Sequence, residues 1–497
     1  MDTVRVSLVS SLVGVAALAA SNPSSVTFSK DVLPILQKNC QGCHRPGEVA
    51  PMSLLTFSDA RPWAKAIKTA VVTRKMPPWF AEPQGTHSFS NDKTLSATDL
   101  NTLVSWVDQG APEGNPNDAP PPLQFTDGWN IKPDIVIEMP EDFHLPAKGT
   151  INYQFVLVKG NFDRDLWVSA AEMRPGNPRV LHHGKVWVRP PGSHWMEDAV
   201  PGVAYESGMG RNSIAEGNDI LGKFNPGLGA QSFAIGGSAK FVPKGSDLVF
   251  ELHYTATGDA TTDRSKLGLA LAKEPPTTRF FLSAGPTALN LVIPPGDSNA
   301  EVVSEVTVGA DNVRLAYAQP HMHLRGKDFE LRAIYPSGES DTLFKGQFDF
   351  DWQLGYTFAK PIGLPKGTRL IGISHFDNSP NNKFNPDPTE EVRWGPQNWD
   401  EMSNCFVGLL FDVGTNAATI FRASGPSLLP RGKFGPTLAA LKLAATNQRR
   451  GVVAMRCGER CTDSPFRPSA RSAGLGRPPR SHAMRCLLER PSEFGVP

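Results

Sequence analysis

The chain has 497 residues and carries 50 Lys and Arg against 49 Asp and Glu, a net charge of +1. That length suggests about three domains, and the near-neutral balance argues against nucleic acid or a charged membrane surface as partner. Gly and Pro, 45 of each, are too frequent for a helix bundle; no apolar run reaches the ~18 residues of a membrane span; and six cysteines are too few for a disulfide scaffold.

Residues 1–20 hold one cation, Arg5, then an apolar stretch over 8–20 that ends in small residues. This reads as a secretory signal, which places the protein in the periplasm or outside the cell. A core helix is the alternative.

Residues 24–116 read as a small all-α domain. Helices are expected over 29–39, 60–73 and 96–109. Ser29 caps the first and Pro34 bends it. Ser96 caps the last, with Asp99 at the capping-box position and Gly110 at its end. After the first helix comes Cys40-Gln41-Gly42-Cys43-His44. Two thiols three positions apart can bond two vinyl carbons of one porphyrin, with His44 facing the iron, so the run points to covalent haem c. A redox or zinc-binding pair is the alternative, although no second Cys pair lies nearby. The other axial position needs Met or His, and Met52, Met76 and His87 are at hand. Met76 lies in Lys75-Met76-Pro77-Pro78-Trp79, where two prolines stiffen an extended backbone. With Asn91-Asp92, Trp106-Val107 and Gly110-Ala111-Pro112, the segment resembles cytochromes c fused to larger bacterial exported proteins. That resemblance implies Met76 as the distal ligand and leaves Met52 as core. Residues 117–124 form a Pro-rich linker.

From 125 to 415 the pattern changes to short alternating apolar runs at 135–137, 153–158, 248–252, 302–308, 331–335, 369–374 and 406–411. With turns such as Pro336-Ser337-Gly338 between them, they predict a mainly β fold of two antiparallel sandwiches, 125–275 and 276–415. Histidines here are few. His321-Met322-His323 places two imidazoles on one face of a strand, able to chelate one metal. His182 and His183 are adjacent and should face opposite ways, one core and one exposed, unless a bulge intervenes. His253 stands alone on a strand. His375, in Ser374-His375-Phe376-Asp377-Asn378, reads as structural or as a support to a neighbouring site, and His144 and His194 have no assigned role.

The order of these motifs carries more than each one. His-His, Leu-His-Tyr, Pro-His-Met-His and then Asp400-Glu401-Met402-Ser403-Asn404 resembles the copper type II, ascorbate-dependent monooxygenases, which include peptide-amidating and dopamine-hydroxylating enzymes. The resemblance implies that His182, His183 and His253 bind an electron-storing copper. It implies that His321, His323 and Met402 bind the copper at which dioxygen is activated, with His321, His323 and Met402 as the catalytic set. The thioether of Met402 independently suits copper rather than zinc, whereas three imidazoles alone would not exclude zinc. Two departures stand out. Cys405 is the only thiol between 45 and 456, so no disulfide can form in these domains. The positions at which the amidating relatives hold a substrate carboxylate with Arg and Tyr are Gln319 and Phe406, which argues against amidation.

Residues 416–497 lose the strand pattern. The stretch 447–497 has ten Arg, no Lys and four acids, so a disordered tail is expected, and the rest of the chain is mildly acidic. The sequence thus predicts an exported monooxygenase with two coppers and one covalent haem c. It would hydroxylate a C–H bond of a small-molecule substrate with dioxygen, and an ascorbate-like reductant or redox partner protein would supply electrons through the cytochrome. An electron-transfer or copper-binding protein without that chemistry is the alternative.

Overall fold

The computed structural model describes residues 25–48, 50–83, 87–125, 128–206 and 219–422. The expected signal segment and the tail beyond 422 lie outside them. The fold is mainly β, with a few short helices before the first long strand. Among the described residues, no helix is long and apolar enough to cross a membrane.

The helical part begins two residues earlier than its expected cap. Asp31 Oδ2 accepts from Thr27 N at 2.8 Å, and Ser29 is buried within the first turn, Phe28–Val32. That turn runs into α1 (Leu33–Asn39), with Pro34 at its second residue. The expected second helix starts three residues early. It is broken into α2 (Phe57–Ala60), a 3-10 turn Arg61–Trp63 and α3 (Ala64–Val72). Ser96 caps α4 (Ala97–Asp108) by accepting from Asp99 N at 3.0 Å. The reciprocal capping box forms instead at Thr56 and Asp59. Phe28, Leu36, Ile67, Leu103 and Trp106 close a small core.

Not all of 24–116 stays with these helices. Residues 79–83 and 87–91 cross to the β region, where Ala81 bridges Gly346 and Phe89 bridges Phe358, and Trp79 meets Tyr356 edge-on at 4.9 Å. A Cβ at Gly346 would stand 2.5 Å from Phe80 O, so the close approach requires glycine there. On the other side, Arg45 pairs with Glu48 at 2.8 Å, and Glu48 with Arg174 at 2.7 Å. The C-x-x-C-H turn is thereby tied to a β-strand.

The first half of the β region contains β1 (Ile135–Glu138), β2 (Gln154–Val158), β3 (Leu166–Arg174), β4 (Leu181–Arg189), β5 (Asp219–Phe224), β6 (Asp247–Tyr254) and β7 (Lys266–Leu271). One sheet runs β1-β7-β3 with two short edge strands, and the other runs β2-β6-β4-β5 with Ala204–Glu206 beyond β2. Val168, Leu267 and Leu269 of the first sheet meet Val156, Val186 and Phe250 of the second in one core. The second half contains β8 (Thr278–Thr287), β9 (Ala300–Val308), β10 (Val313–His321), β11 (Gly326–Ile334), β12 (Ser340–Gln347), β13 (Tyr356–Leu364), β14 (Arg369–Phe376) and β15 (Asn404–Asp412). Its sheets run β8-β15-β10-β13 and β12-β11-β14-β9.

The sheet β8-β15-β10-β13 is buried on both faces. Phe281, Leu315, Leu409 and Phe411 point into the second core. Their neighbours Phe280, Leu282, Ala316, Phe406 and Leu410 point into the first. This explains why β15 is a nearly continuous apolar run while β9 alternates buried and half-buried residues. It also brings β10 of one half against β4 and β5 of the other.

Candidate metal centres

Strands β4 and β6 pair residue for residue from Arg189↔Asp247 to His183↔His253, and then Leu181 pairs with Tyr254. His182 is therefore the extra residue of a bulge. The expectation that His182 and His183 face opposite ways is corrected by this bulge: their Nδ1 atoms lie 3.0 Å apart. Two imidazole nitrogens bound to one ion at 2.0–2.1 Å stand roughly 3 Å apart, so the pair is spaced for shared ligation. One ring nitrogen from each of His182, His183 and His253 lies within 4.8 Å of the others. His253 Nδ1 is buried and, among the described residues, has no hydrogen-bond partner. The three imidazoles could together hold one metal ion.

Side chains around the trio hold the rings. Tyr153 stacks on His253 at 4.5 Å, and its Oη lies 2.8 Å from His183 Nε2. With Nε2 protonated toward Tyr153, Nδ1 of His183 is left as the lone-pair donor. Phe350 stacks on His182 at 5.0 Å.

The second set lies on and just after β10. His321 Nδ1 is 2.6 Å from Gln353 Oε1, which leaves Nε2 as its ligand atom. His323 Nδ1 lies 3.4 Å from Asp400 O, and His323 Nε2 is again buried and unpartnered. Pairing of His321 with Asn404 carries the strand register on toward His323 and Met402. Glu401, fully buried, joins the two stretches. Its Oε2 accepts from His323 N at 2.7 Å and Met402 N at 3.2 Å, and its Oε1 accepts from Arg325 N at 2.7 Å. Burial pushes the Glu401 carboxyl up to about 8, opposed by these N–H donors and by Arg325.

The two sets are neighbours. The rings of His183 and His321 are 6.3 Å apart and those of His321 and His323 are 5.2 Å apart. Burial lowers all five imidazoles, His253 to about 3 and His323 to about 4, with His183 and His321 well below their ordinary value. At neutral pH they are uncharged, the state in which imidazole ligates metal. Two lysines border the cluster. Lys223, buried, donates to Gln319 Oε1 and lies 3.8 Å above the Phe406 ring; Lys185 pairs with Glu251 at 2.6 Å. Gln319 and Phe406 thus face each other across β10 and β15 with an amine between them. Nothing in the local sequence around Lys223 marks it.

In the helical part, Cys40 and Cys43 are free thiols, and burial pushes Cys40 up to about 12 and raises Cys43. His44 Nδ1 lies 3.3 Å from Met52 O, which fixes the ring and leaves Nε2 for an iron. The residues therefore fit a covalent haem. Met76 is half-buried, with its N–H donating to Ala70 O at 3.1 Å. His87 turns away, its Nε2 lying 2.9 Å from Asp341. His375 sits between Asp328 and Glu301 on flanking strands, at 2.7 and 3.6 Å, a structural placement. His144 is exposed on a short strand, and His194 is exposed beside Glu197. If the haem is covalent, a pyridine haemochrome should survive acid-acetone extraction in the wild type and be altered or lost in Cys43→Ala. An extractable haem in the wild type would sink the assignment.

No family model matches the chain, and no curated protein matches it. Among solved structures, a VP2 subviral particle of infectious bursal disease virus is 11% identical over 58% of this chain and 75% of that one, with a TM-score of 0.17. The STIV MCP is 10% identical over 49% and 96%, with a TM-score of 0.20. The PBSX exported protein XepA is 9% identical over 53% and 92%, with a TM-score of 0.13. At such scores these likenesses carry no argument about architecture or activity.

Proposed function

We propose that this protein is an exported haem- and copper-dependent monooxygenase that hydroxylates a C–H bond of a small organic molecule. We read its two pairs of sheets as two sandwiches, 125–275 and 276–415, behind a cytochrome c unit. The observation that carries the reading is the meeting of five neutral imidazoles from two sheets, four buried and His182 half-buried, two of them with orphaned nitrogens. Buried polar atoms ordinarily have a partner, and a bound metal would give each of these two nitrogens one.

His182, His183 and His253 would hold one copper, and His321, His323 and Met402 the other. Cys40, Cys43, His44 and Met76 would hold the haem. Bound there, the metals would supply the one-electron steps that dioxygen chemistry requires, with electrons from an ascorbate-like reductant or a redox protein. The chain's own part is positioning. Tyr153 and Gln353 fix which nitrogen of His183 and of His321 faces inward. Glu401 holds Met402 beside His323, and burial keeps the rings unprotonated. The sulfur of Met402 favours the reduced, softer copper ion.

Metal analysis should find about two coppers per chain beside one iron, with His182→Ala removing one copper and His321→Ala the other. A screen of small organic molecules should then reveal substrate-dependent oxygen uptake. Zinc filling both sites after copper loading would overturn the assignment. Metals that cycle without substrate-dependent uptake would leave a pure electron carrier.

A further inference from the structure

Gln353 meets His321 from an irregular connection, outside both β12 and β13. Its Nε2 is buried and has no partner among the described residues, so nothing beyond His321 aims the side chain. The backbone at 353 has to hold it in place.

The carbonyl of residue 353 accepts from Gln319 Nε2 at 2.8 Å. Gln319 and His321 stand two residues apart on β10, so both side chains leave the same face of the strand. The Gln319 amide is itself fixed. Lys223 Nζ, which can only donate, meets Gln319 Oε1, and Tyr317 Oη donates to the same oxygen at 3.1 Å. The carbonyl at the other end can only accept, so the amide has one orientation. Lys223 comes from β5 of the first half. It, Gln319 and Gln353 are each no more than 3% exposed, which keeps bulk water from competing for these bonds. Three side chains in contact thus lead from one half of the β region to a candidate ligand in the other.

We propose that Gln319 is a positioning residue for the second metal centre: it holds the backbone at 353 so that Gln353 Oε1 accepts from His321 Nδ1 and His321 Nε2 is left to the metal. This role rests on the reading of His321 as a metal ligand. Partners behind a ligating imidazole fix its tautomer and ring direction, and losing one typically weakens metal binding about 10- to 100-fold.

Copper affinity of each centre, measured on the full chain by chelator competition and followed by spin resonance, tests the role. Gln319→Glu keeps an acceptor for Lys223 and Tyr317 but turns a second acceptor toward the carbonyl at 353. It should weaken one copper at least about tenfold and alter its hyperfine pattern, while the His182–His183–His253 copper keeps both affinity and signal. Gln319→Met, which adds no charge and also lacks the donor, should show the same loss. Gln353→Leu should match it. Gln319→Met combined with Gln353→Leu should bind no more weakly than Gln353→Leu alone, because two residues acting in series do not add. Wild-type affinity in both Gln319 variants would overturn the proposal. So would additive losses in the double variant, or equal weakening of both coppers, which would report a general loss of fold. If His321→Ala itself releases no copper, the metal reading fails and the positioning role falls with it. Release of copper in His321→Ala beside unchanged Gln319 variants would overturn the positioning role alone.

Discussion

Replacing Met402 with isoleucine is expected to abolish substrate-dependent oxygen uptake while the haem and the His182–His183–His253 copper remain bound and reducible. Isoleucine keeps the bulk and apolarity of a half-buried side chain, so the cost to folding should be small. The backbone bond from Met402 N to Glu401 at 3.2 Å does not depend on the side chain. What disappears is the only sulfur of the second ligand set, and with it the soft donor that favours reduced copper. The first set takes its ligands from β4 and β6 and shares none with Met402. Anaerobic titration with ascorbate, followed in the haem band and by copper spin resonance, separates the two effects. Full turnover by Met402→Ile would make Met402 a packing residue and the second centre wrongly placed.

Much of the β framework is legible in the sequence because its cause is local. Alternation gives β9, where one face is covered, and an unbroken apolar run gives β15, though not the reason for it. That reason is the second core behind the sheet, which no window of sequence contains. The histidines divide in the same way. His321 and His323 share a face by strand period alone. His182 and His183 do not, and only the bulge against Tyr254 turns His182 to the other two rings. A bulge is a register event between distant strands, so the pair that the structure brings to His253 is the one that local reasoning separates.

The supports are harder still to read. Gln353 and Phe350 lie in an irregular connection between β12 and β13, yet one touches His321 and the other His182. Trp79 and Phe89, which follow Met76 in the helical part, owe their place to Tyr356 and Phe358 far along the chain. Caps fared unevenly for a physical reason. Ser96 accepts from Asp99 N and caps its helix, whereas at the first helix the chain turns helical before Ser29 is reached. The bond from Thr27 N to Asp31 decides the start.

Above about pH 8, where the Glu401 carboxyl is ionised, Glu401→Gln should cost both stability and the second copper, although it changes one atom. Both carboxylate oxygens act as acceptors, one for His323 N and Met402 N and the other for Arg325 N. A glutamine has one acceptor oxygen, so either orientation sets an amide N–H against a backbone N–H. Each buried group left unsatisfied costs about 1–3 kcal/mol. Arg325, itself buried, also loses the neighbouring negative charge that favours its cation; its bonds to Asn378 Oδ1 and Trp399 O remain, at 2.9 and 2.8 Å. The thermal midpoint should fall by several degrees. Because the carboxylate ties the H-x-H strand to the Met402 segment, copper per chain should drop by about one after dialysis against a weak chelator, while the His182–His183–His253 centre keeps its signal. Glu401→Ala separates the two effects: it removes the clash but also the tie, so it should lose the same copper. A Glu401→Gln protein with wild-type midpoint and full copper would mean that the carboxyl is already protonated in the fold and that something other than Glu401 holds Met402 beside His323.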